Sequence, residues 1–242
     1  MTIEVCIDSV QSAINAQEAG AARVELCDNL FEGGTTPSAG TIAIARQQIS
    51  IGLQVIIRPR GGDFLYSDLE MEIMKHDIQT AKELGADGVV IGILTAEGRV
   101  DKVRCAALIE QARPMNVTFH RAFDMTRDPL EALEDIISLG CERLLTSGQQ
   151  KTAIEGQGLI AELHKKADGQ IIIMPGGGVD EFNIDQMAAT GVQECHVSVR
   201  KTVSSGMDYR NQRVFMGGEL RLPEYEVKVA DPERLKKMTG NS

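Results

Sequence analysis

Eight short runs of apolar and β-branched residues recur along the chain, and segments with helical spacing separate them. Strands that alternate with helices predict a parallel sheet. A doubly wound sheet commonly has about five or six strands, so eight strands within 242 residues favour closure into a TIM-type (β/α)8 barrel. The predicted strands are residues 3–8, 23–28, 53–60, 88–94, 116–124, 143–147, 171–175 and 194–202.

The segments between these runs carry helix signals. Residues 69–84 place apolar side chains at helical spacing and charged side chains between them, a pattern typical of a helix that packs on a sheet. Gly20, Gly85, Gly140 and Gly191 stand where a helix should end before the next strand. One βα unit is therefore used repeatedly. The predicted apolar face of the 69–84 helix consists of Leu69, Ile73, Met74, Ile78, Ala81 and Leu84.

Residues 203–242 depart from this pattern. No clear eighth helix follows Thr202; an alternating stretch at 225–229 and a short helix at 231–238 take its place. We therefore expect a single barrel domain over residues 1–202 and an irregular C-terminal extension, residues 203–242, in place of a regular eighth helix. The extension either folds onto the barrel or contacts a second subunit. The second alternative predicts a homo-oligomer, with a dimer favoured.

The chain is acidic, with 25 Lys and Arg against 35 Asp and Glu and a formal net charge of -10. Phosphate backbones and anionic membrane surfaces repel such a chain, so neither nucleic acid nor a membrane is the expected partner. The sequence shows no secretory leader pattern and no apolar run of about 18 residues. Its five cysteines are scattered without a CxxC pair, which argues against a disulfide framework and a structural zinc site. We expect a cytoplasmic protein with reduced thiols.

Side chains along a barrel strand alternate between the helix layer and the lumen. Ile3, Val5 and Ile7 form an apolar stripe, so the residues between them should point inward. Two interpretations stay open for these inward groups: a core of ion pairs, or a functional site. We favour the site, because most of the groups fall at the carboxyl halves of strands, where barrel active sites are built. The predicted inward polar residues are Glu4, Cys6, Asp8, Glu25, Cys27, Arg58, Arg60, Thr118, His120, His196, Ser198 and Arg200.

Two of the inward residues are thiols at comparable height. The pattern Glu-apolar-Cys occurs at residues 4–6 and again at residues 25–27, on strands predicted to be neighbours. Adjacent strands lie about 4.8 Å apart, so Cys6 and Cys27 should lie close together. Two close thiolates suit a soft ion such as Cu(I). Alternatively, both cysteines are small apolar side chains that fill the barrel.

A glycine triplet, Gly176–Gly178, ends the seventh strand. Phosphate sites in such barrels commonly use the loops after strands seven and eight, where glycines let backbone N–H groups approach an anion. Tight strand-to-helix turns also require glycine, so the triplet predicts phosphate or carboxylate binding only together with its basic neighbours. The candidate anion-binding residues are Arg58, Arg60, Arg121, Asp124, Gly176, Gly177, Gly178, His196, Ser198 and Arg200.

Three residues are candidates for proton transfer. His120 titrates near neutral pH when it is unperturbed, so it is a candidate general acid or base. Glu4 and Glu25 are the alternatives. Asp124 either pairs with Arg121 or orients His120.

Six motifs stand out at or near these positions: Glu25-Leu26-Cys27, Gly34-Thr35-Thr36-Pro37-Ser38, Arg58-Pro59-Arg60-Gly61-Gly62-Asp63-Phe64, Thr118-Phe119-His120-Arg121-Ala122-Phe123-Asp124, Leu145-Thr146-Ser147-Gly148 and the Gly176–Gly178 triplet. Taken together, these motifs resemble those of the CutC copper-homeostasis family. The resemblance implies a TIM barrel, a cytoplasmic location and a role in copper tolerance or trafficking, and it implies Cu(I) ligation by Cys6 and Cys27.

Two functions therefore follow from the sequence. The first is a cytoplasmic copper-homeostasis barrel that binds Cu(I) through Cys6 and Cys27. The second is an enzyme that acts on a small anionic or phosphorylated metabolite at the carboxyl-terminal mouth of the barrel. A copper site made of two thiolates alone does not require Arg58, His120 and Arg200. These additional polar groups are the reason for keeping the enzyme hypothesis.

Overall fold

Eight parallel strands form one sheet in the order β7-β6-β5-β4-β3-β2-β1-β8, and the edge strands β7 and β8 pack against each other. The predicted TIM barrel is confirmed. The structure, a computed structural model, describes residues 1–214, 216 and 225–240. The strands are β1 (Thr2–Ile7), β2 (Arg23–Leu26), β3 (Gly52–Ile56), β4 (Gly88–Ile91), β5 (Asn116–Phe119), β6 (Arg143–Thr146), β7 (Ile172–Pro175) and β8 (Glu194–Val197).

Seven helices separate these strands. Gly20, Gly85, Gly140 and Gly191 all have positive φ angles shortly after the end of a helix, in the left-handed conformation that ends a helix at little steric cost for glycine. The predicted stops are therefore confirmed. The helices are α1 (Val10–Glu18), α2 (Ala39–Gln48), α3 (Asp68–Glu83), α4 (Lys102–Ala112), α5 (Pro129–Ser138), α6 (Gln157–Ala167) and α7 (Ile184–Ala188).

The buried face of α3 differs from the predicted one. Its buried residues are Met71, Met74, Ile78 and Ala81, whereas Leu69 is 80% exposed and Ile73 is also exposed. The first turn therefore contacts the barrel through a residue, Met71, that the periodicity did not select. None of the helices in the described part of the chain combines the length and the apolar composition needed to cross a bilayer.

Several strands end earlier than predicted. β3 ends at Ile56 and β5 ends at Phe119, so the polar residues that follow them lie in loops. A 3-10 helix, Arg121–Met125, begins just after β5. The predicted eighth run divides at residues 198–199. Its second half is β9 (Arg200–Ser204), which pairs antiparallel with β10 (Glu226–Ala230) outside the barrel sheet.

The described part of the C-terminal extension reaches the barrel through a short helix, α8 (Pro232–Thr239). This helix contacts α1 and β1, and Leu235 on it is fully buried. Arg234 forms a two-point ion pair with Glu181, with both N–O distances at 2.7 Å. A two-turn helix thus covers the side of the barrel where an eighth helix belongs. Residues 215, 217–224 and 241–242 of the predicted extension lie outside the described residues.

The side chains of the strands alternate between the helix layer and the lumen, as predicted, and this alternation directs the site residues into the lumen. Ile3, Val5 and Ile7 join the large apolar core beneath the helices. Cys6 and Cys27 belong instead to a separate small cluster inside the barrel, together with Ile56 and Val90.

Candidate functional site

A cavity of about 440 Å³ opens at the carboxyl ends of the strands. Its wall combines apolar, acidic and basic side chains from five strands and the loops that follow them, which is typical of the active-site end of this fold. The lining residues are Cys6, Glu25, Leu30, Glu32, Gly33, Ile56, Arg58, Phe64, His120, Arg121, Asp124, Met125, Leu145, Gly177, Gly178, Val179, His196, Ser198 and Arg200.

The two predicted thiols lie side by side, but only Cys6 lines this cavity; Cys27 is not among the lining residues and lies buried behind it. The Sγ atoms of Cys6 and Cys27 are 3.9 Å apart, and both residues are buried. Gly34, at φ +92°, passes so close that a Cβ there would lie 3.3 Å from the Cys27 sulfur. Only a glycine fits this backbone conformation without strain, so the close approach of this loop to the Cys27 thiol depends on Gly34.

The two thiols have different pKa values. The hydrogen bond from the Cys27 thiol, supported by the nearby His196 imidazolium, outweighs burial and lowers the pKa of Cys6 to about 5. The same hydrogen bond raises the pKa of Cys27 well above its ordinary value, and burial acts in the same direction. The pair therefore holds one thiolate and one thiol at neutral pH, because a second negative charge at this distance is unfavourable.

His196 lies beside the thiolate and between two glutamates. Its Nδ1 is 2.8 Å from Glu4 Oε1, and its Nε2 is 3.6 Å from Glu25 Oε2. The ligand atoms of Cys6, Glu25 and His196 all lie within 4.8 Å of one another. Burial alone would lower the pKa of His196, but hydrogen bonds to Cys6 and Glu4 outweigh it and raise that pKa well above its ordinary value.

The two glutamates beside His196 ionise differently. Burial would raise the pKa of Glu4, but hydrogen bonds and charges from His196 and Arg23 overcome it and hold the pKa at about 2. Burial raises the pKa of Glu25 to about 8, because the His196 charge offsets only part of the cost of ionising it. Glu25 lines the cavity, and its Oε1 accepts no hydrogen bond from the described residues. Glu4 is not among the lining residues. It therefore influences the cavity only through its hydrogen bond with His196.

Glu4 also belongs to a buried ion-pair network beneath the site. Arg23 Nε donates to Glu4 Oε2 at 2.5 Å, and the same guanidinium pairs with Glu194. Arg143 Nε also donates to this glutamate, at 2.8 Å from Glu194 Oε2. Sequence analysis missed Arg23 and Glu194, although the alternation that selects Glu25 and His196 also selects the residues two positions before them. Part of the predicted ion-pair core therefore exists, and it supports the site from below.

Arg58 and His120 line the opposite wall of the cavity. The Arg58 guanidinium donates to the backbone carbonyls of Glu32 and Gly34, each at 2.7 Å, and of Gly62 at 2.9 Å. It thereby ties the loop after β2 to the loop after β3, a role that sequence analysis did not assign to it.

The sequence suggested that His120 titrates near neutral pH, and the structure contradicts this prediction. Its Nδ1 accepts a hydrogen bond from the backbone N–H of Ala122 at 3.1 Å, and burial, with the charge of Arg58, lowers its pKa to about 3. The ring is therefore neutral and carries its proton on Nε2. A Cβ at Gly92 would lie 2.5 Å from this ring, so the ring's position requires a glycine there, another residue that sequence analysis missed.

The remaining wall contains Arg121 and the glycine turn. Arg121 Nε donates to Asp124 Oδ2 at 2.7 Å, so Asp124 pairs with Arg121 and does not orient His120. Gly177 and Gly178 have φ angles of +100° and +77° and line the cavity. Gly176 is not a lining residue; a Cβ there would lie 2.5 Å from Leu145 Cδ1, so this glycine permits close packing.

The structure does not bring all predicted residues together. Arg60 is not among the lining residues; its Nε donates to Glu70 Oε1 at 2.6 Å, and its guanidinium lies 5.1 Å from the centre of the Tyr66 ring. β3 ends before Arg60, so strand alternation no longer sets the direction of its side chain. Ser198 and Arg200 do line the cavity, and Arg200 Nη1 is 3.3 Å from Asp8 Oδ2.

The chain is similar to several known proteins. The model of the CutC family matches residues 1–201. The chain is 51% identical over 239 residues to the copper homeostasis protein cutC homolog of Homo sapiens, covering 98% of this chain and 88% of that protein. It is 54% identical over 235 residues to the family protein CutC of Bacteroides fragilis, covering 96% and 94%. A crystal structure of CutC from Streptococcus agalactiae matches with a TM-score of 0.78 and 38% identity, covering 81% of this chain and 97% of that chain.

Proposed function

Since the chain belongs to the CutC family, we propose that it binds Cu(I) between the Cys6 and Cys27 thiols and thereby takes part in copper homeostasis. The observation that carries this proposal is the 3.9 Å separation of the two sulfur atoms, with Cys6 lining an open cavity and Cys27 buried next to it. Metal–thiolate bonds are about 2.3 Å long, as in zinc sites, so one ion reaches both sulfur atoms with a bent arrangement. Thiolates are the ligands that select Cu(I).

His196 fits the role of a third ligand. Its Nε2 faces Cys6 and Glu25, while its Nδ1 is hydrogen-bonded to Glu4 at 2.8 Å. A histidine that binds a metal ordinarily donates its other N–H to a carboxylate, which fixes the ring orientation. Ligands must be deprotonated to bind, so copper binding displaces protons from Cys27 and His196, whereas Cys6 already carries a thiolate.

Cu(I) affinity of cysteine variants tests this proposal. Cys6→Ala and Cys27→Ala each remove one sulfur ligand, and we expect each to weaken Cu(I) binding at least about 100-fold, since loss of a mere supporting contact costs about 10–100-fold. The measurement is an anaerobic titration against a competing Cu(I) chelator.

Cys195→Ala provides the matched control for this titration. Cys195 is as buried as the site cysteines, but it belongs to the apolar core outside the lumen. It should leave the Cu(I) affinity unchanged. Wild-type affinity in the Cys6→Ala, Cys27→Ala double variant would rule the site out.

The low pKa of Cys6 makes a second prediction for the metal-free protein. The thiolate is the form that reacts with iodoacetamide. With a pKa of about 5, Cys6 is mostly thiolate at pH 6, where an ordinary thiol with a pKa near 9 has a thiolate fraction about a thousandfold smaller. The alkylation rate of Cys6 should therefore already be near its plateau at pH 6. Peptide mass spectrometry should show an inflection in the rate at Cys6 near pH 5.

Cys105 is the internal control for the alkylation, because burial raises its pKa; it should stay unmodified at pH 6. The variant His196→Gln removes the imidazolium and should move the Cys6 inflection to higher pH. An inflection near pH 9 in the wild-type protein would contradict the described charge state.

One observation favours a second function, an enzyme acting on a small anionic metabolite. Glu25 lines the cavity with a carboxyl oxygen, Oε1, that accepts no hydrogen bond from the described residues, and its pKa of about 8 lies where a general acid or base works best. Glu25 therefore replaces His120 as the candidate for proton transfer. Turnover of a small anion that is lost in Glu25→Gln but retained in Cys27→Ala would establish this alternative.

We also propose that the protein is cytoplasmic and forms a homodimer. Five free thiols favour the cytoplasm, where thiols stay reduced. The extension carries exposed apolar side chains, with Tyr209 72% exposed, and such side chains support a homodimer in which the extension contacts the second subunit.

A further inference from the structure

Arg58 is a buried cation whose hydrogen bonds go to neutral groups. The residue is 5% exposed, and its two Nη atoms donate to three backbone carbonyls. Within the described residues, no ion pair joins it to a carboxylate. Carbonyl dipoles orient a guanidinium, but they do not neutralise it, and an uncompensated buried charge is costly. The arrangement therefore calls for an anion.

Two donors on this wall have no acceptor among the described residues. They are Arg58 Nε–H and His120 Nε2–H, which are buried and have no acceptor within hydrogen-bond distance in the described part of the chain. The Arg58 guanidinium also interacts with the Tyr66 hydroxyl, a neutral group that leaves its charge uncompensated. The His120 proton lies on Nε2 because Nδ1 accepts from Ala122. Phe64 packs against both groups, 5.2 Å from the Arg58 Cζ and 5.1 Å from the His120 ring centre. Both side chains line the same cavity.

We propose that Arg58 Nε–H and His120 Nε2–H bind the carboxylate or phosphate oxygens of a small anionic metabolite in this cavity. Paired N–H donors, one of them charged, recognise oxyanions with the strongest class of hydrogen bond. The site lies on the loops after β3 and β5. It keeps Arg58 from the predicted anion-binding residues and replaces the predicted Gly176–Gly178 turn with His120. The proposal rests on the second proposed function, which it deepens by naming the groups that hold the anion, and it does not depend on copper binding.

The size and charge of the cavity agree with such a ligand. A volume of about 440 Å³ is typical of a small-molecule site and is far larger than one metal ion requires. The other cations of the wall already have partners: Arg121 pairs with Asp124, and Arg200 pairs with Asp8. His196 lies between Glu4 and Glu25. Glu32 lines the cavity, but its carboxylate lies against Gly61. The charge of Arg58 thus remains for the ligand.

Calorimetric titration with two probes, inorganic phosphate and malonate, tests this site. We expect at least one of them to bind the wild-type protein with a Kd of about 1 mM or below. His120→Phe keeps a ring of similar shape but removes the N–H, and it should weaken that binding at least about tenfold. His76→Phe alters an exposed histidine on α3 and is the matched control; it should leave the Kd unchanged.

The outcomes separate this proposal from copper binding. Cys6→Ala should bind the anion as the wild-type protein does, and His120→Phe should bind Cu(I) as the wild-type protein does, which also shows that it folds. Failure of both probes to bind the wild-type protein, or an unchanged Kd in folded His120→Phe, would overturn the proposal. A crystal of the wild-type protein soaked in the bound probe gives a further test: an anion held only by the Gly176–Gly178 turn would also overturn it.

Discussion

Replacing Glu4 with glutamine is expected to lower the free energy of unfolding by about 3–5 kcal/mol at pH 7, the range found when one partner of a buried ion pair is removed. Glu4 is 1% exposed and pairs with both Arg23 and His196. Without its charge, the pairs with Arg23 and His196 are lost, and Arg23 and Arg143 must share Glu194 as their carboxylate partner. Urea unfolding of the metal-free protein measures the loss.

The pH dependence of that loss identifies its origin. Glu4 has a pKa of about 2 in the folded protein, against 4.5 when it is unperturbed. Its contribution to stability is therefore present above pH 4.5 and is lost as the pH falls toward 2, so the two proteins should converge in acid. Glu110→Gln, on the exposed side of α4, is the control and should leave the free energy of unfolding unchanged. A difference that persists undiminished at pH 3 would contradict the assignment.

Replacing Glu25 with glutamine is expected to have the opposite effect. Its pKa is about 8 in the folded protein and 4.5 when unperturbed, so unfolding releases a proton between these pH values. Wild-type stability should therefore fall as the pH rises from 4.5 to 8, by about 3–5 kcal/mol at 1.36 kcal/mol per pKa unit. Glu25→Gln removes this loss and should exceed the wild-type protein by that amount near pH 8.5.

Urea unfolding at pH 5 and at pH 8.5 checks this expectation. The variant and the metal-free wild-type protein should have nearly equal stability at pH 5 and should diverge at pH 8.5. Glu110→Gln again serves as the control and should follow the wild-type protein at both values. Equal stability of Glu25→Gln and wild type at pH 8.5 would show that His196 compensates the ionised carboxylate fully.

Strand number, strand direction and most helix ends were predictable from the sequence. These properties depend on short-range signals: β-branched runs, helical spacing, and glycines that adopt positive φ angles. The apolar face of α3 was less accessible, because Leu69 and Met71 are both apolar and only contact with the barrel decides which of them is buried. The division of the last predicted strand depends on pairing with Glu226–Ala230, far along the chain.

The site was predictable where strand alternation holds. Cys6, Glu25 and His196 lie on strands, where a period of two places them. Beyond the strand ends the alternation is less reliable. Cys27, Arg58 and His120 still reach the lumen or the cavity, whereas Arg60, farther beyond the end of β3, pairs with Glu70 instead.

The sequence by itself determined the barrel, the end of it that carries the polar groups, and the pairing of Cys6 with Cys27. These follow from local periodicity and from the spacing of neighbouring strands. Only the tertiary structure decided the charges: a thiolate at Cys6, a protonated carboxyl at Glu25, a neutral ring at His120 and an uncompensated cation at Arg58. The physical reason is that ionisation depends on burial and on partners brought together from distant parts of the chain, and neither quantity is a property of any one segment.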